Sequence, residues 1–131
     1  MKIIKTADAP NSPHYSQAVM AGGFLFVSGM TGLDPRTGKL AGATIHEQSV
    51  CALQNCEAIL GAAGALLQDV VEVQVLLARP EDFAGLNDAY ARFFPSDPPA
   101  RSVAKLGVEI PGVLVSIRMV AVAPFSASRT H

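Results

Sequence analysis

Between Val70 and Val122 the spacing of apolar residues changes from two to 3.6 and back again, which constrains the fold more than any other feature of the chain. In VVEVQVLLA, residues 70–78, Val71, Val73, Val75 and Leu77 fall on one side and Glu72 and Gln74 on the other, as in a strand with one dry face. From Pro80 the spacing becomes helical: Phe83, Leu86, Tyr90 and Phe93 form a stripe predicted to be buried, Pro80 suits a first turn, and Pro95 ends the helix. Period two returns in ARSVAKLGV, residues 100–108. It is cleanest in VLVSIRMVAV, residues 113–122, where Val113, Val115, Ile117 and Met119 alternate with Leu114, Ser116, Arg118 and Val120.

The first half follows the same grammar. Two short runs, Ser16 to Met20 and Phe24 to Ser28, flank Ala21-Gly22-Gly23, whose glycines accept the positive φ of a tight turn; this predicts a hairpin. Asp-Pro and Thr-Gly in LDPRTGKL read as a loop. Thr44 with Glu47 three residues on forms a capping box, after which Ile45, Ser49, Leu53, Cys56, Leu60 and Ala63 recur at helical spacing until Gly64. Strands before and after two helices give an α+β domain with a mixed sheet of about six strands. A chain of 131 residues has material for one core, so residues 1–131 are expected to be a single domain.

Two helices cover only one face of such a sheet. The other carries Leu76, Leu114 and Val120 among Gln74, Ser116 and Arg118, too apolar for open water and too polar for a dry core, so an oligomer is expected. With 16% charged residues and a net charge of −1, the chain lacks the footprint of a protein that neutralises phosphates, and nucleic acid and membranes are poor partners. No apolar run reaches a membrane span, and MKIIKTADAP does not resemble a targeting segment. A soluble, cytoplasmic protein is expected. Cys51 and Cys56, five positions apart on one helix, are turned about 140° from each other and read as small packing residues, not a disulfide.

His14, His46 and His131 are not spaced as a metal pair, and no catalytic metal or cofactor is expected. VSGMTG is not a nucleophile elbow, and LGAAGAL lacks the lysine of a phosphate loop. Arg101 is the residue with most to offer. Prolines before it and a strand after it fix its backbone, and a planar guanidinium held in that way suits bidentate capture of a carboxylate.

The segments SPHYSQAV, LFVSGMTGLDPRTGKL, EQSVCALQNCEAILGAAGA, DVVEVQVLLARPEDFAGLNDAYARFF, PPARSVAKL and IPGVLVSIRMVAVA together resemble the reactive intermediate deaminase, or RidA/YjgF, family along almost the whole chain. The resemblance implies a chorismate-mutase-like fold, bacillus type, with two helices on one sheet face and three chains closing a trimeric barrel whose clefts lie at subunit boundaries. It implies hydrolytic deamination of enamine/imine intermediates, giving 2-oxo acids and ammonia from 2-imino acids such as 2-iminopropanoate and 2-iminobutanoate. By the same resemblance Arg101 pairs with the substrate carboxylate and Tyr15 borders the ligand. Gly29 lets the ligand approach the backbone, Asn87 lies near the cleft, and Val103 stands where many relatives carry cysteine and offers its backbone.

Two departures stand out. The usual Gly-Pro-Tyr is Pro13-His14-Tyr15, placing a titratable histidine in the loop. The glutamate thought to handle the attacking water, in a Glu-Ile-Glu pattern, is replaced in Ser116-Ile117-Arg118. A serine hydroxyl holds water but is no base near neutral pH. Arg118 adds a second cation that either favours a dianionic, 2-aminomuconate-like enamine or pairs with Glu72 or Glu109. The loss of the glutamate also leaves open a small-acid-binding trimer without catalysis.

Overall fold

The structure, a computed structural model, describes residues 1–124; His131 lies outside the described residues. Eight strands and two helices follow in the order β1 (Lys2–Ile4), β2 (Ala18–Ala21), β3 (Phe24–Met30), β4 (Leu33–Asp34), β5 (Lys39–Leu40), α1 (Ile45–Ala62), β6 (Val70–Leu77), α2 (Phe83–Phe93), β7 (Ala100–Lys105) and β8 (Val115–Val122). Six strands form one sheet in the order β1-β2-β3-β8-β6-β7. Only β6 and β7 run parallel, joined through α2, so the sheet is mixed as the sequence predicts. The loop read in LDPRTGKL closes on itself as the small β4–β5 hairpin.

The two helices lie side by side over one face, α1 above β3 and β8. Beneath them Leu25, Val27, Val73, Val75, Ile117 and Met119 from the sheet meet Leu53, Ile59, Leu60 and Leu86 from the helices, all close to fully buried. The capping box forms as read: the Thr44 hydroxyl accepts from the Glu47 N–H at 3.2 Å, and the Thr44 N–H donates to the Glu47 carboxylate at 3.3 Å. Gly22 and Gly23 take φ of +60° and +83° in the β2–β3 turn, and Gly64, at +80°, follows the end of α1.

Three expectations need correction. Val71 is 43% exposed because the β6–β8 register slips between Val70 and Glu72, so Val70 fills the inward place and Val71 is the extra residue of a bulge. Phe83 is 46% exposed, because the first turn of α2 reaches past the core toward the edge strand β7. Val113 is buried but precedes β8, its N–H donating to the Ile110 carbonyl in a turn. Cys51 and Cys56 are both free and buried on α1.

Candidate active site

Register decides which side chains can meet. Arg101 sits beside Val73 and Val73 beside Met119, so Arg101 projects on the helix side of the edge strand. Ser116 sits beside Leu76 and Arg118 beside Gln74, on the opposite, uncovered side. A single chain therefore separates the candidate residues into two sets.

The first set is built where β7 passes α2. Arg101 Nη1 donates to Oδ1 of Asn87 at 2.9 Å. Its guanidinium carbon lies 4.7 Å from the centre of the Tyr90 ring and 5.9 Å from that of Phe83, both within cation–π range. Among the described residues no carboxylate comes within ion-pair distance of Arg101, so the cation is held by neutral groups. Val103, two residues along the same strand side, lines an apolar cavity of about 440 Å³ with Leu77, Pro80, Phe83 and Lys105. Sequence reasoning missed Tyr90 and Phe83 as partners of Arg101. The signal was the aromatic pair in the α2 stripe, which the period assigns wholly to the core.

The second set gathers around the end of β3. The β3–β8 register slips between Val27 and Met30, so both point inward and Ser28 and Gly29 form a bulge between them. A Cβ on Gly29 would lie 2.9 Å from Oγ of Ser116, so the missing side chain opens the space that the serine hydroxyl faces. The Ser28 hydroxyl donates to the Ser16 carbonyl at 2.6 Å, which ties the segment carrying Tyr15 to this bulge. Tyr15 itself is 47% exposed. The segment is held from behind by buried Gln17, whose amide nitrogen lies 2.9–3.0 Å from the carbonyls of Thr6, Ala9 and Pro10 and whose oxygen accepts from the Thr6 N–H at 2.8 Å.

Arg118 lines a cavity of about 300 Å³ on this side with Ser16, Phe26 and Ser28. The pairing with Glu72 or Glu109 is not formed, and Arg118 has no ion-pair partner among the described residues. His14 is exposed, its backbone N–H donating to the Ser12 hydroxyl at 3.1 Å. A broader groove of about 580 Å³ lies apart from both sets, beside α1, where Asp34, Arg36, His46 and Arg92 mix both signs of charge. Among the described residues no three His, Cys, Asp or Glu side chains gather as metal ligands, and no helix is long and apolar enough to cross a membrane.

The family model described as Endoribonuclease L-PSP matches residues 6–123. The chain belongs to the reactive intermediate deaminase (RidA/YjgF) family. It is 40% identical over 122 residues to the 2-iminobutanoate/2-iminopropanoate deaminase of Bos taurus, covering 92% of this chain and 89% of the relative. RidA from an Antarctic Psychrobacter superposes with a TM-score of 0.87 at 33% identity, covering 93% of this chain and 99% of that one. TdcF of E. coli, solved with bound serine, gives a TM-score of 0.87 at 32% identity, covering 95% and 100%. The RidA-family membership accounts for the mixed sheet with helices on one side.

Proposed function

We propose that this RidA-family protein hydrolyses 2-imino acids to 2-oxo acids and ammonia, at sites that two copies of the chain build together in a homotrimer. The observation that carries the reading is Arg101, a guanidinium oriented by Asn87 and Tyr90 and left without a carboxylate partner among the described residues. A fixed and uncompensated arginine is a receptor for a carboxylate, the group every 2-imino acid carries. The names of related deaminases and the serine bound to TdcF point to the same ligand chemistry in those proteins.

In this reading Arg101 takes the substrate carboxylate, Val103 presents its backbone, and the carbon chain lies along the apolar cavity beside Phe83. The set of Tyr15, Gly29 and Ser116 comes from a neighbouring copy, because one chain holds it on the other side of its sheet. The uncovered side, where Leu76 lies beside Ser116 and Phe26 and Val120 lie next along from Arg118, with Phe24 beyond them, gives that neighbour its apolar contact.

Water adds to the carbon of the C=N bond while a proton moves to nitrogen. The resulting carbinolamine then breaks its C–N bond, releasing ammonia and leaving the 2-oxo acid. The Ser116 hydroxyl orients the water by a hydrogen bond and removes no proton, so the gain comes from orientation and from excluding bulk solvent. The test generates a 2-imino acid in situ and follows 2-oxo acid release. Wild type is expected to exceed the buffer rate and Arg101→Ala to fall to it; equal rates for wild type and buffer would reject the reading.

A second reading concerns charge. Arg118 has no counter-ion among the described residues, which favours a dianionic substrate, with Arg118 receiving the second carboxylate. Its test is the ratio of kcat/KM for imines made from aspartate and from alanine. Arg118→Gln is expected to lower that ratio about tenfold if the second carboxylate meets the arginine.

A further inference from the structure

We infer that Tyr90 is a positioning residue: its ring face sets the plane of the Arg101 guanidinium and so decides which edge of it meets a carboxylate. This rests on the carboxylate-binding role proposed for Arg101. An arginine on an edge strand has many rotamers, and ordering it as the ligand arrives would weaken binding. Here the order is already present, because Asn87 occupies Nη1 at 2.9 Å and the Tyr90 ring lies 4.7 Å from the guanidinium carbon. With Nη1 engaged and one face against a ring, the Nε–Nη2 edge remains for two parallel hydrogen bonds to a carboxylate.

The Tyr90 hydroxyl argues that the ring face is the working part. It is buried and has no hydrogen-bond partner among the described residues, although a buried tyrosine ordinarily satisfies its hydroxyl. Burial pushes the phenol up, and the nearby Arg101 charge only partly offsets this, so the seat stays neutral at physiological pH. Neutrality matters: an acidic seat would hold the arginine equally well and cancel the charge the substrate needs. The ring is itself held by burial to 7% exposure and by the Phe94 ring, 4.8 Å away and tilted by 36°. Phe83, at 5.9 Å, supplies the outer wall of the same seat.

The experiment compares Tyr90→Phe with Tyr90→Leu in the full chain. It reads pyruvate affinity by calorimetry, KM and kcat on an imine, and the NMR signal of the Arg101 Nε–H. Phe keeps the π face, so its pyruvate Kd is expected within about twofold of wild type and its Nε–H signal is expected to keep the ring-current shift. Leu fills the space without a face. Its Kd and KM are expected to rise about five- to tenfold with kcat within about twofold, and the Nε–H signal to move to the position of a free arginine.

A folded Tyr90→Leu protein with wild-type affinity and an unmoved Nε–H signal would overturn the inference. Tyr90→Met, also long and without a ring, replaces Leu if that variant does not fold. Should wild type neither bind pyruvate nor turn over imines, the proposed function fails, while the Nε–H signal still decides whether Tyr90 orders the arginine.

Discussion

At the scale of single residues, Arg101 is held without being neutralised, whereas Arg79 is paired with Asp82 at 2.9 Å and the Cys56 thiol is sealed away. Cys56 is wholly buried, its thiol donating to the Ile117 carbonyl at 3.4 Å, and burial pushes its thiol from 9.0 up to about 12. Burial is also the main cause that raises the Cys51 thiol. Thiolates are the reactive form, so Cys56 should not react with an aromatic disulfide reagent at pH 8 in the folded protein, and Cys51, which borders the groove beside α1, should react more slowly than a free thiol. Both should react after denaturation, and a free thiol count before and after checks this.

The linkage follows. Below about pH 9 Cys56 is protonated in both states and its ionisation costs the fold nothing. Above it the unfolded chain releases the proton and the folded chain keeps it up to about 12, so stability falls across that window. The drop in melting temperature between pH 8 and pH 10.5 should therefore be smaller in Cys56→Ala than in wild type, although Cys56→Ala starts lower because it opens a small cavity. An equal drop in both proteins would show that Cys56 does not contribute.

At the scale of elements, the start of α1 organises the loops behind the sheet. The buried Gln48 amide donates to the carbonyls of Gly42 and Gly112 at 2.9 and 2.8 Å, and its oxygen accepts from the Leu114 N–H at 2.8 Å. Gln48→Leu leaves those backbone groups unpaired and should cost about 2–4 kcal/mol in a urea melt. Gly32 packs so closely on this turn that an added Cβ would lie 2.6 Å from the Gln48 carbonyl oxygen and 2.7 Å from its Cα. Backbone cannot yield there, so Gly32→Ala should cost about 2 kcal/mol or more. Thr44→Ala removes the cap alone and should cost about 1 kcal/mol. The cap was legible because Thr-x-x-Glu is a local pattern. The demand at Gly32 was not, since it comes from a helix packed across a loop.

At the scale of the whole molecule, the two residue sets lie on opposite sides of one sheet, so the proposed site calls for a neighbouring copy of the chain. Arg101→Ala disables one set and Gly29→Val crowds Ser116 in the other, so each variant alone should be inactive. Assembled together, they should regain about a quarter of wild-type activity, because some boundaries then combine an intact Arg101 with an intact Gly29. No regain on mixing, with exchange of chains verified by mass, would place the whole site within one chain. Phe26, on the uncovered side and 38% exposed, offers the matching test: Phe26→Asp should lower the sedimentation mass to that of a single chain.

The chain by itself determined what depends on neighbours in sequence: the periods of β6, α2 and β8, the Thr44–Glu47 cap and the Gly22-Gly23 turn; through the family resemblance it offered Arg101 as a candidate. It did not determine where the periods slip. The bulges at Val71 and at Ser28-Gly29 arise because each strand must match a partner far away in sequence. Nor did it show that Arg101 rests on Tyr90 while Ser116 faces Gly29 on the other side. Alternation says that successive side chains part company; only the pairing of β6 with both β7 and β8 settles which side belongs to the helices and which is left for a neighbour.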